Sequence, residues 1–405
     1  MTVPIGAPVY EFDNGLWYDG SGFQPGIRYS YYGRLSRRRP SVVDSVIDLK
    51  GDWVVPAFGE AHNHNGGVPG DTATVRQYLD AGVFFVKNAD NLPDWPRRSA
   101  TLVNTPTGID VSFADGGLTG PGGHPAELIA RNIARGIASP ADGEGAFYYS
   151  VASRQDVDRM WPSLMDHHPD FVKTYLLFSE EYSRRLHDST YYGRRGLDPA
   201  LLPYIVRRAH RAGLRVTTHI ETAADFHNAL VAGVDEIAHT PGFRPDGNDL
   251  SAYGDLNRYR ISEADAQLAG RHKVVVVTTV SELLELLGQM QSRSPDLVAA
   301  IRSMITGNLL RLKAAGVTIA LGSDRFRTNV VREVDALSRE GLFDNLTLLR
   351  MWCQATPRTV FPNRDIGTLR DGAEASFLVL AGNPVLDIAN TKRIVLRVKQ
   401  GHILF

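Results

Sequence analysis

Two histidines, His62 and His64, stand two residues apart at the end of an apolar run, in AFGEAHNHN. In extended chain, residues i and i+2 point to the same side, so both imidazoles can reach one ion. Later runs end alike: TTHIET carries His219, EIAHTPG carries His239 and ALGSD carries Asp324. A lone histidine after a strand is more often hydrogen-bonded packing than a ligand. Four histidines and an aspartate at the ends of successive runs are hard to explain as packing, and they read as a metal site. Imidazole and carboxylate ligands suit zinc, manganese, iron, cobalt or nickel, with zinc the default. A bound divalent metal lowers the pKa of its water to about 7, supplying hydroxide at neutral pH, and polarises a substrate carbonyl or phosphoryl oxygen. Asp324 can take the proton from that water and pass it to the leaving group.

Lys173, in DFVKTYLLF, sits among Phe171, Val172, Leu176 and Leu177. Burial disfavours the ammonium and lowers its pKa. A neutral amine reacts with carbon dioxide to give a carbamate, an anionic ligand able to bridge two cations. The residues alone leave this open against a lysine paired with a carboxylate or reaching solvent.

These residues need elements that bring them together. Apolar strand-like runs recur at Val83–Val86, Ile109–Phe113, Phe171–Leu177, Leu214–Thr218, Val234–Ala238, Lys273–Thr279 and Val317–Leu321. Helical patterns such as Pro199–Arg211 and Pro295–Ala315 lie between several of them. With Trp53–Ala57 as the first, eight strands alternate with helices, which predicts an α/β chain closed into a (β/α)8 TIM barrel. In such a barrel the strand ends gather at one mouth, where the candidate ligands would meet. Both chain ends read instead as short strands broken by turns, LWYDGSGF, IRYSYYG, SVVDSVIDL and GDWVV at the start, ASFLVLAG and RIVLRVKQGHILF at the end. They predict a small β-sandwich domain from residues 1–56 plus 362–405, with the barrel spanning 57–361.

Composition narrows the functional classes. The 405 residues carry a formal net charge of −1, so no field attracts nucleic acid or an anionic membrane surface. A single cysteine, Cys353, rules out an internal disulfide and a thiolate metal cluster. No run approaches the roughly 18 to 20 apolar residues that span a bilayer. The N-terminus shows no basic segment followed by an apolar stretch. A cytoplasmic location is expected, or a periplasmic one if a signal was trimmed. GGLTGPGG lacks GxGxxG spacing and a following GK(S/T), and GSD is no GxSxG elbow, so neither nucleotide nor serine-nucleophile chemistry is indicated.

The motifs VVPAFGEAHNHN, FVKTYL, VTTHIE, EIAHTP and ALGSD, in this order, resemble those of the amidohydrolase superfamily. The tail IGTLRDGAEASFLVLAGNPVLDIANTKRIVLRVKQG resembles its closing β segment, so the likeness covers nearly the whole chain. The resemblance implies a binuclear centre, with His62, His64 and Asp324 on one metal and His219 and His239 on the other. Carbamylated Lys173 would bridge the two. FVKTYL with GGLTGPGGHP is similar to the branch of imidazolonepropionases and metal-dependent prolidases and dipeptidases, whose GGH loop lies by the substrate. That makes His124 a candidate substrate contact. There are departures: Glu60 stands where aspartate is usual, and Ile220 and Glu221 follow His219 where some dipeptidases carry an aromatic residue.

The polar, aromatic segment Glu180–Gly196 reads as a loop covering the mouth. Arg194, Arg195 and Arg325 are weighed as carboxylate clamps against ordinary surface or salt-bridged arginines, and Arg325 is retained as a candidate contact. The expected activity is metal-dependent hydrolysis of a C–N bond in a small peptide-like or cyclic amide. Alternatives are a one-metal deaminase without Lys173 as ligand, an esterase or lactonase, and a metal-binding protein without turnover. A homo-oligomer is compatible with the sequence, but no interface can be read from it.

Overall fold

A computed structural model of the chain describes residues 7–244 and 249–404. Residues 1–6 and 405 of the expected end domain lie outside the described residues. The N-terminal strands are β1 (Tyr10–Tyr18), β2 (Phe23–Tyr31), β3 (Arg34–Ser36), β4 (Ser45–Asp48) and β5 (Trp53–Pro56). β1 and β2 are antiparallel and joined by a tight turn. There the Asp19 carboxylate accepts the backbone N–H groups of Ser21 (2.8 Å) and Gly22 (2.9 Å), so a short side chain substitutes for missing backbone partners.

A second group of strands is parallel. β6 (Phe58–Asn63), β7 (Val83–Asn88) and β8 (Asp110–Phe113) form one sheet. The following strands are β9 (Gly117–Thr119), β10 (Tyr148–Ser150), β11 (Val172–Tyr175), β12 (Val216–His219), β13 (Glu236–Ala238), β14 (Val275–Thr278) and β15 (Thr318–Leu321). They form a seven-stranded sheet in the order β10-β9-β11-β12-β13-β14-β15. Most of these strands are buried on both faces, which explains their near-continuous apolar spelling. Backbone hydrogen bonds link the two sheets at two places, the end of β8 and the end of β6. On one side the Asp170 N–H donates to the Phe113 carbonyl (2.9 Å); on the other the Ser323 and Asp324 N–H groups donate to the His62 carbonyl (3.1 and 3.2 Å).

Helices connect successive strands. In Leu202–Arg211 the buried residues Leu202, Ile205, Val206 and Ala209 fall at helical spacing and form one apolar face. The helix Ala223–Ala232 begins four residues after the end of β12, at a capping box in which Thr222 and Asp225 satisfy each other's backbone N–H groups. That cap fixes where the chain turns after His219.

The expected first barrel strand, Trp53–Ala57, is corrected. Trp53–Pro56 is β5 and lies in the end sheet, paired with β1 and with a C-terminal strand; the parallel sheet begins at Phe58 with β6. Apolar character continues from Trp53 through Phe58, so hydropathy carries no mark of the point where the chain changes sheets.

β16 (Phe377–Leu380), β17 (Ile394–Lys399) and β18 (His402–Leu404) complete the end sheet, in the order β18-β17-β16-β5-β1-β2-β3 with β4 on β1. Both chain ends thus share one sheet. Its core packs Phe12 against Phe377 edge to face at 5.0 Å, with Trp17 beside them at 5.4 Å. The end sheet is tied to the parallel strands by buried charge. Lys399, at the end of β17, donates to the Asp110 carboxylate of β8 (2.6 Å) and to the Thr105 carbonyl (2.6 Å). Arg364 pairs with the other Asp110 oxygen (2.8 Å) and with Glu374 (2.7 Å).

Breaking a buried ion pair by removing one partner leaves an uncompensated charge. Lys399→Met is therefore expected to destabilise the fold by about 3–5 kcal/mol, read as a lower urea midpoint with an unchanged m-value. A midpoint equal to wild type would show that this network does not hold the two sheets together.

Candidate metal centre and substrate cavity

His62 and His64 lie at the end of β6, where an alternating backbone sends both rings into one cavity of about 540 Å³. Lys173 from β11, His219 at the end of β12, His239 after β13 and Asp324 after β15 line the same cavity. The six residues expected from the sequence to hold metal are thus brought together. The ring centroids of His62 and His239 are 4.6 Å apart, as are those of His219 and His239. Asp324 Oδ1 lies 3.1 Å from His64 Nε2 and 3.6 Å from His62 Nε2, and these three side chains can place one ligand atom each around a single ion.

Local backbone makes this convergence possible. A side chain at Gly322 would put its Cβ 2.7 Å from that of His62, so only glycine lets β15 close on β6 here. His239 and Asp324 adopt left-handed backbone (φ 76° and 50°), a conformation unfavourable for residues other than glycine and often found where function dictates geometry. Beneath them Glu60 accepts hydrogen bonds from Ser323 and from Asn63 (2.8 Å). Asn65 holds the next loop by donating to the Arg325 and Thr328 carbonyls (2.7 and 2.9 Å). The residue at position 60 therefore braces the strand end that carries His62 and His64 from below.

Burial sets the protonation states. Desolvation pushes His62 down to about 3 and His219 and His239 well below the usual histidine range, leaving neutral rings whose nitrogens can donate electron pairs. Burial works to raise the Asp324 carboxyl, but His62 and His64 beside it hold it well below the ordinary value. Lys173 is buried and drawn down to about 8 by desolvation, against the opposing pull of Asp90 and Asp324. Its amine makes no hydrogen bond with another described residue.

The donor set fits a metal. His62 Nδ1 and His239 Nε2 are buried without a hydrogen-bond partner among the described residues. A buried polar atom left in this state is costly unless something else satisfies it. His239 Nδ1 is engaged by the Thr279 hydroxyl at 2.6 Å, the second contact that orients a ligating imidazole.

His124 also lines the cavity, its ring 5.4 Å from that of His219. Its Nδ1 lies 2.6 Å from Glu127 Oε1, which leaves Nε2 for a ligand. The glycines before it have a packing cause: a Cβ on Gly120 would sit 2.3 Å from the Gly196 carbonyl oxygen. Close approach of those two segments carries His124 to the mouth, and the Arg195 carbonyl accepts its N–H (2.9 Å). Part of Glu180–Gly196 walls a neighbouring cavity of about 600 Å³, to which Arg194 contributes. Arg195 braces this loop through the Pro121 and Arg185 carbonyls (2.8 and 2.6 Å). Arg325 turns to Glu285 (2.7 Å).

Asp90, Tyr175 and Arg244 are among the cavity residues that escaped the sequence reading. Asp90 lies two residues past the end of β7 and accepts the Tyr175 hydroxyl; burial pushes its carboxyl up to about 7. Tyr175 itself stands two residues after Lys173, so the spacing that pairs His62 with His64 could have found it. Arg244, in the loop after His239, had no local signal.

No family model matches the sequence, and no curated protein matches it. Solved structures do. The chain is similar to an amidohydrolase (TM-score 0.71, 19% identity, 98% of each chain covered). It is also similar to A. niger ochratoxinase (TM-score 0.74, 17% identity, 98% of this chain and 95% of that one). A Xaa-Pro dipeptidase with methionine bound in its active site gives a TM-score of 0.73 at 15% identity, over 98% of this chain and 99% of that one. At such identities the likeness speaks for architecture, and the chain has the fold of the amidohydrolases.

Proposed function

We propose that the protein is an enzyme of the amidohydrolase superfamily, a closed (β/α)8 barrel that hydrolyses a C–N bond in a small amide-containing molecule. The observation that carries this reading is the convergence of His62, His64, Lys173, His219, His239 and Asp324 on one cavity, with buried imidazole nitrogens left without a hydrogen-bond partner among the described residues. His62, His64 and Asp324 would hold one divalent ion, zinc by default, and His219 and His239 a second. Lys173, buried and shifted toward its neutral amine, would combine with carbon dioxide and bridge them as a carbamate. The solved relatives include a prolidase and molinate hydrolase, which agrees with C–N chemistry.

When bound, such ions supply Lewis acidity and bring the pKa of water to about 7. The chain's own residues do the rest. Asp324, held ionised, accepts a proton from the attacking water and delivers it to the departing nitrogen. His124, fixed through Nδ1 by Glu127, presents Nε2 to the substrate. Thr279 orients the His239 ring by engaging Nδ1.

Metal content of protein purified without chelator, with bicarbonate present, tests the centre directly. About two ions per chain in wild type, falling to one or fewer in Lys173→Ala, are expected. About one ion in both proteins would remove Lys173 from the site and favour a one-metal deaminase. No metal in either after reconstitution would overturn the reading. Thr279→Val is expected to weaken zinc binding by about 10–100-fold in a competitive chelator titration, with an unchanged circular dichroism spectrum. Asp324→Asn should reduce kcat against an amide panel by at least about 100-fold, the scale on which general acid–base catalysis contributes.

A further inference from the structure

Besides the candidate ligands, the metal cavity is lined by apolar side chains from three loops. Leu92 and Trp95 follow β7, Ile129 lies on the helix Ala126–Ala134, Ile137 and Phe147 come after that helix, and Phe326 follows Asp324. Two of them are unusually bare. Phe326 is 73% exposed and Ile137 71%; among the described large apolar side chains only Leu386 is more exposed, and it lines neither cavity. Apolar side chains left in water at the mouth of a cavity mark a place where a ligand covers them.

Both are held there by backbone hydrogen bonds. The helix Ala126–Ala134 ends at Gly136 in left-handed backbone (φ 69°). The Gly136 N–H donates to the Ile133 carbonyl (3.0 Å) and the Ile137 N–H to the Asn132 carbonyl (2.9 Å). In this way of ending a helix, an apolar residue in the place of Ile137 commonly packs back on the last turn. That turn offers Asn132 and Arg131 instead, and Ile137 is left over the cavity. Phe326 is fixed by Asn65, which grips the chain on either side of it. The Asn65 side chain donates to the Arg325 and Thr328 carbonyls (2.7 and 2.9 Å) and accepts the Arg327 N–H (3.1 Å). The Phe326 ring then lies 6.0 Å from that of His64, at 28° to it, so the apolar lining begins beside a candidate metal ligand. Arg131 and Arg327 also line the cavity but are exposed, which lets their charged ends stay in water while their stems cover apolar surface. Asp142 accepts the Ser139 N–H (2.7 Å).

Taking the hydrolase reading as its starting point, we infer that Trp95, Ile137 and Phe326 form a specificity subsite: the substrate carries an aryl group that lies against them while its scissile amide lies at the metal centre. At about 540 Å³ the cavity accommodates both parts of one small molecule. The rings of Trp95 and Phe326 offer flat faces to such a group, and Ile137 covers it from a separate loop. Small polar amides leave all three side chains in water and are poor substrates.

The test uses probes that are not amide substrates. On metal-loaded protein, calorimetry compares acetohydroxamate with 3-phenylpropionohydroxamate, which share a metal-binding headgroup and differ by the aryl arm. A third probe, 3-phenylpropan-1-ol, carries that arm without the headgroup. Wild type should bind the aryl hydroxamate about tenfold or more tightly than acetohydroxamate. Ile137→Ser and Phe326→Ser should each reduce this preference and together remove it, leaving acetohydroxamate affinity unchanged. The alcohol should bind wild type with or without metal, and fail to bind the double variant. Equal hydroxamate affinities in wild type, or a preference that survives the double variant, would overturn the inference. Failure of the hydrolase reading looks different. Neither hydroxamate would then bind loaded protein better than metal-free protein, while the alcohol would still bind through Ile137 and Phe326.

Discussion

The site depends on one close approach, that of the end of β15 to β6. The His62 carbonyl accepts two N–H groups from Ser323 and Asp324, and the missing side chain of Gly322 makes room for the His62 Cβ. This contact joins the first and last strands of the parallel array. It also sets Asp324 against His62 and His64. Without it the sheets could exist, but the carboxylate and the imidazoles would belong to separate edges. The Glu60, Asn63 and Ser323 hydrogen bonds hold the same junction from beneath. The joining of the two parallel sheets and the placing of the candidate ligands therefore rest on one set of contacts, beside which Asp324 adopts left-handed backbone.

Charge buried along the strands continues this logic below the mouth. Lys87 of β7 meets Glu236 of β13 at 2.6 Å, with Thr217 of β12 bonded to the same carboxylate at 3.2 Å. Glu236 is also among the carboxylates that oppose the desolvation of Lys173. Lys399 and Asp110 form a second buried pair, facing the end sheet instead of the cavity. A buried pair of this kind adds little net stability over well-packed apolar residues, yet removing one member is severe.

The two cavities differ in what lines them. One gathers neutral imidazoles and an ionised carboxylate where burial strips away water. The other is walled by tyrosines and by arginines bound to Glu180 and Glu181. Their shared wall is the loop carrying His124 on one side and Arg244 on the other. The comparison structures, with similar folds at 15–19% identity, include an ochratoxinase and a Xaa-Pro dipeptidase.

What the sequence determined by itself was the local grammar. Apolar runs ending in His and Asp, and one interrupted near its start by Lys173, announced strands that carry candidate metal ligands, because strand periodicity and parallel burial are written in neighbouring residues. His62, His64, Lys173, His219, His239 and Asp324 were legible for that reason, and Asp90 and Tyr175 lay within reach of the same rule. Only tertiary structure decided the rest. Trp53–Pro56 is as apolar as the strand after it, and pairing with Phe377–Leu380, more than 300 residues away, assigns it to the end sheet. Arg325 is an arginine in a loop beside a candidate ligand, but Glu285 takes it up. Whether a charge is spent or available depends on which distant partner folding brings beside it, and no local pattern encodes that.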